Sequence, residues 1–288
     1  MLQESASPRA VRAGELQNVG RIGLSEPKKP DQVPTWGDDP LSAEFFAQAH
    51  FNERAASLNY PDVYALVQEA NSIFAAVNAA VERDSNEVLL LPRLFVVRTR
   101  AAFLAGARLA MAGEIPEAFP VLRLAIELAW YGLHIAQDAT GDRARVWLKR
   151  GDNKAATDAC KNEFTIRRVR TTHESVDPQH AAQMHQLYES TIDLGAHPNQ
   201  LGLFSAIGNQ TVGKQTTFQV GILYPAEFPL LATLGMAMLV AFNVLRIFQL
   251  IFPERFKIMQ LDSRIAQLLG SIQNVLSKRN IARPPNSA

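Results

Sequence analysis

The chain has 288 residues, 47% hydrophobic and 20% charged, an ordinary globular composition with enough apolar material for one large core or two small ones. A formal net charge of +1 supplies no broad field, so charge implies neither nucleic acid nor an anionic membrane as a partner. Cys160 is the only cysteine, which excludes an intramolecular disulfide and a cysteine-based metal cluster and points to a reducing, cytoplasmic setting.

Residues 1–40 are rich in Pro, Gly and charge and carry no sustained period or apolar leader. They predict a disordered arm rather than a secretory signal. From Leu41 nearly everything reads as helix. Leu41 to Ser57 is followed by a second helix opened by Pro61, a third from Val88 to Ala112 ended by Gly113, and a fourth opened by Pro116. The third and fourth together resemble one tetratricopeptide-type hairpin, but no neighbouring segment repeats it at that family's period, so a repeat array is not expected. More polar helices are predicted at Asp142 to Arg150, Asn153 to Thr171 and Pro178 to Leu194.

Alternation of Phe218, Val220, Ile222 and Tyr224 predicts the second strand of a hairpin, paired with Leu201 to Ile207. Helices at Ala226 to Ile251 and Pro253 to Lys278 close the chain. The uncharged run Phe228 to Leu245 is long enough to approach a bilayer span. Thr233 and Asn243, with Arg246 and Gln249 continuing the Asn243 face, favour a buried core helix and no membrane. The expected fold is mainly α: a single multi-helix bundle over residues 41–280, with one small hairpin at 201–224 and a disordered tail at 281–288.

The fourth helix carries the sharpest signal. From Ala118 to Asp138 it is aliphatic around most of its circumference, yet Arg123, Glu127, Trp130, His134 and Asp138 fall in a sector of roughly 80°. So narrow a polar stripe predicts a central helix with its charges sequestered by neighbours. Glu127 would then be held by Arg100, Arg123 or Arg246, since an unpaired buried carboxylate is costly. In the alternative, the stripe borders a cleft where Glu127 or His134 exchanges protons while Arg100, Arg123, Asn243 and Arg246 bind a ligand. The loop Gly195-Ala196-His197-Pro198-Asn199 adds His197 as a catalytic candidate and Asn199 as a binding one, although Gly, Pro and Asn also explain it as a turn.

A further segment, Arg167-Arg168-Val169-Arg170-Thr171-Thr172-His173, spaces an arginine and a histidine as the HEPN ribonucleases do. Val169 stands in place of that family's usual polar residue. More broadly, residues 60 to 278 resemble uncharacterised bacterial helical proteins with HEPN-like folds: an Arg-x-x-x-Glu helix, a polar helical middle, a helix-end His-Pro and closing helices. The resemblance implies an all-helical, commonly dimeric domain in which Arg168 holds phosphate and His173 is the acid or base. Walker, dinucleotide-binding, HExxH and GxSxG signatures are missing, and no cofactor or metal is expected. The leading expectation is an intracellular, self-associating interaction or regulatory protein whose protein partner the sequence does not identify. The competing one is a metal-independent HEPN-like ribonuclease or toxin, which alone makes RNA a partner.

Overall fold

The computed structural model describes residues 39–82, 86–198, 200, 207–212, 215–223 and 227–279. The predicted arm, through residue 38, and the predicted tail lie outside them. The fold is mainly α. Its elements are α1 (Pro40–Asn59), α2 (Pro61–Glu82), α3 (Leu90–Ala112), α4 (Ile115–Ala136), α5 (Asp142–Leu148), α6 (Lys154–Glu163), α7 (Ile166–Val176) and α8 (Pro178–Thr191). Strands β1 (Ile207–Val212) and β2 (Gln215–Val220) follow, then α9 (Glu227–Ile251), α10 (Pro253–Ile258) and α11 (Leu261–Lys278). The chain divides into two compact units, residues 1–46 and 47–288. In the first, Asp39 caps α1 by accepting the Ser42 amide at 3.1 Å.

The second unit is organised around α3, α4 and α9. Gly113 adopts the left-handed conformation that stops α3 and gives its N–H to the Ala110 and Leu109 carbonyls, so that α4 turns back along α3. Gly106 lets the two helices approach closely: a Cβ there would lie 2.7 Å from Leu122 Cδ2. Helix α9 crosses this pair and also packs on α2, α8 and α11. It is long and apolar enough to cross a membrane, and 78% of its apolar window is buried by its neighbours, which is how a core helix satisfies the same composition. Ion pairs from Arg264 to Glu69, on the surface, and from Arg279 to Asp62, half-buried, fasten α11 to α2.

Two stretches expected as single helices are each broken in two. At Thr165 the backbone turns extended and the side chain accepts the Arg168 amide, ending α6 and capping α7. At Gln260 a left-handed residue separates α10 from α11. Strand β1 pairs antiparallel with β2, Ile207 opposite Val220 and Val212 opposite Gln215. Among the described residues the first strand shares Ile207 with the predicted one, and the second stops four residues short of Tyr224. Of the predicted first strand, residues 201–206 lie outside the described ones.

Candidate functional site

The aliphatic sides of α4 bury against α3 and α9, which leaves its polar stripe facing the layer made by α6, α7 and α8. The stripe is the fastening between the layers. At its N-terminal end Glu127 Oε1 accepts from Arg123 Nε at 2.8 Å and from the Tyr188 hydroxyl at 3.1 Å, and the Arg123 guanidinium lies 5.1 Å above the Tyr188 ring. Burial, reinforced by the Glu127 charge, pushes the Tyr188 phenol up to about 12, so it remains a donor at any physiological pH.

One turn further on, Trp130 Nε1 donates to His173 Nδ1 at 3.0 Å; His173 Nε2 meets His180 Nδ1 at 3.1 Å; and His180 Nε2 meets Asn243 Oδ1 at 3.1 Å. The Asn243 amide then donates to the Leu239 carbonyl at 2.8 Å. An indole only donates, so His173 must be bare at Nδ1 and carry its hydrogen on Nε2, and the same follows for His180. Every nitrogen in this buried row is satisfied with both imidazoles neutral. Burial pushes His173 down to about 4 and His180 down to about 3; the His173 ring lowers His180 further, and the neighbouring Arg246 charge lowers both.

At the C-terminal end of the stripe His134, only 2% exposed, lies 3.2 Å from Glu163 Oε1 through Nε2 and 2.7 Å from the Thr172 hydroxyl through Nδ1. A carboxylate only accepts, so Nε2 carries the hydrogen and Nδ1 receives the hydroxyl's. Burial and the adjacent Arg143 charge hold His134 below the usual histidine range. Glu163 also pairs with Arg143 Nε at 3.3 Å and with Arg168 Nη1. These groups line an open depression of about 630 Å³ together with Asn162, Thr165, Arg167, Thr171 and Thr172.

Of the three arginines expected to hold Glu127, Arg123 does so, joined by Tyr188, while Arg100 and Arg246 do not; the Glu127 side chain is 30% exposed, so that end of the seam is half-buried rather than sequestered. Arg100 instead donates to Asn71 Oδ1 at 2.8 Å, and Arg246 reaches Asp177 Oδ2 at 3.3 Å. Arg168 and His173 do not form a joint site: five helical residues set them about 140° apart, leaving the guanidinium exposed over Glu163 and the imidazole in the core. Asn243 belongs to the buried row. His197 is exposed at the end of a π-turn over Ile192–Ala196, and Asn199 lies outside the described residues.

Sequence reasoning passed over Glu163, Thr172, Asp177, His180 and Tyr188. Glu163 and Thr172 were legible only with the break at Thr165, which changes the face each presents. For His180, the seven-residue interval from His173 was the available signal, but the Asp177-Pro178 corner between them hid it. No group of three or more metal-ligating side chains occurs among the described residues. The chain matches no family model, no curated protein and no solved structure.

Proposed function

We propose that this chain is a non-enzymatic, self-associating helical interaction protein of the cell interior, with the polar stripe of α4 serving to hold α6 to α8 in place. The observation that carries this reading is the engagement of the stripe: Arg123, Glu127, Trp130 and His134 each bond to a group of the same chain, and the two deepest imidazoles are neutral and doubly bonded. Groups so committed hold a structure rather than turn over a substrate. Self-association is supported by α3, whose outward side presents Leu90, Leu94 and Val97 at 52%, 49% and 45% exposure, spaced to form one stripe.

Sedimentation equilibrium is the direct test. The wild-type chain is expected above its monomer mass of 31.8 kDa at micromolar concentration, with Leu94→Glu reverting to monomer and keeping its helical circular dichroism. A wild-type protein that stays monomeric over the whole range would overturn self-association.

A second reading, the HEPN-like ribonuclease or toxin, draws support from one feature, that His134 and Arg168 line the same depression. An RNA cleavage assay separates the two. Our reading expects intact RNA, whereas cleavage abolished by both His134→Ala and Arg168→Ala would establish the alternative.

A further inference from the structure

The depression between α4 and the α5 to α7 corner has an unusual centre. One carboxylate, Glu163, collects three donors, from His134, Arg143 and Arg168. Around it the lining supplies Arg143, Arg167 and Arg168 against that single acid, and His134 is neutral, so the hollow keeps a surplus of two positive charges. Asp138 and Asp142 do not cancel it. They line a smaller hollow on the far side of Arg143 and Glu163, where Asp142 is paired with Arg145 and Asp138 accepts from Thr140 and from the Arg143 amide. The cationic side is therefore the one bounded by Arg167 and Arg168. Thr165 and Thr171 add hydroxyls to its wall, and the N-terminus of α7 opens onto it with its partial positive charge.

We infer that this depression binds a phosphate monoester, with Arg143, Arg167 and Arg168 as its cationic clamp and Glu163 as the internal anion that holds the clamp in shape when no ligand is bound. The charge decides the class. A phosphate monoester carries close to two negative charges at neutral pH and presents three strong acceptor oxygens, which matches the surplus and the forked geometry of arginine. A diester carries one charge, and a simple carboxylate duplicates what Glu163 already supplies. The inference is independent of self-association through α3, which lies on other residues.

Glu163 makes the site testable in both directions, because it competes with the ligand for Arg143 and Arg168. Titration calorimetry on the full chain at fixed ionic strength would use inorganic phosphate, phosphoserine and dimethyl phosphate as probes. Inorganic phosphate and phosphoserine are expected to bind saturably, and dimethyl phosphate about tenfold more weakly or not at all. Arg167→Ala combined with Arg168→Ala, two exposed positions, should weaken phosphate about tenfold or more, while Glu163→Gln should tighten it by about threefold or more. Arg167→Ala alone, at a residue with no fastening role, keeps the test valid if Glu163→Gln fails to fold, and should itself weaken phosphate several-fold. No saturable heat with phosphate, binding unchanged in the arginine variants, or dimethyl phosphate binding as well as phosphate would each overturn the inference. Phosphoserine binding without inorganic phosphate would also overturn it, by placing recognition on the amino-acid part. A monomeric wild type that still binds phosphate would fail the self-association reading alone.

Discussion

Acidification from pH 6.5 to pH 4.5 is expected to remove about 4 kcal/mol of folding stability through His173 and His180 alone. Both rings are fully buried and held neutral, with folded-state values of about 4 and about 3 against 6.5 for a free imidazole. Below pH 6.5 the unfolded chain takes up two protons that the folded chain refuses, so stability falls as pH falls, by about 1.4 kcal/mol per pH unit for each ring. The contribution is complete above pH 6.5 and is lost progressively as the pH drops toward the folded-state values. His134, shifted in the same direction by burial, adds to the slope. Urea unfolding measured across this range reads it directly, and His180→Gln, which retains an amide able to donate and accept, should flatten it by about half. A stability constant between pH 6.5 and 4.5 would contradict a neutral buried row.

The second large effect belongs to Gly195. It sits in the π-turn after α8 with φ at +156°, and a Cβ there would lie 2.5 Å from the carbonyl oxygen of Pro116, a backbone atom at the start of α4. Neither side can yield without moving a helix end. Gly195→Ala is expected to cost about 3 kcal/mol. Gly151→Ala is the control, since nothing lies within 4 Å of its added methyl and loss of chain entropy in the unfolded state makes it neutral or slightly stabilising. Equal urea midpoints for the two variants would show that the turn relaxes freely. Because Gly195 precedes His197 by two residues, the same approach also fixes where that exposed imidazole leaves the bundle.

Most of the bundle was legible because its signals are local. Pro61, Pro116 and Gly113 set helix ends, and the apolar period of α2, α3, α4 and α9 set their buried faces. The narrow stripe of α4 marked a helix buried over most of its circumference, although Leu124 and the Glu127 end of the stripe stay open to solvent. What the sequence withheld was the identity of those neighbours. Glu127 had several arginines at suitable helical positions, and only the packing of α8 brings Tyr188 to it and sends Arg246 to Asp177 instead. The break at Thr165 was hidden because Phe164 and Ile166 continue an acceptable helical pattern, and the decisive event is a threonine hydroxyl turning back to the Arg168 amide. Without that break Glu163 does not fall beneath His134, and the depression has no centre.

The row from Trp130 to the Leu239 carbonyl runs like one-way traffic: every hydrogen points toward α9, and the indole at its head cannot reverse. An arriving proton finds no lay-by. Placed on His173 Nδ1 it confronts the indole hydrogen, and placed on His180 Nδ1 it confronts the hydrogen of the preceding ring, so donor meets donor at either address. The α7 to α8 layer therefore cannot take up a proton without giving up a bond, either to Trp130 of α4 or between its own two rings.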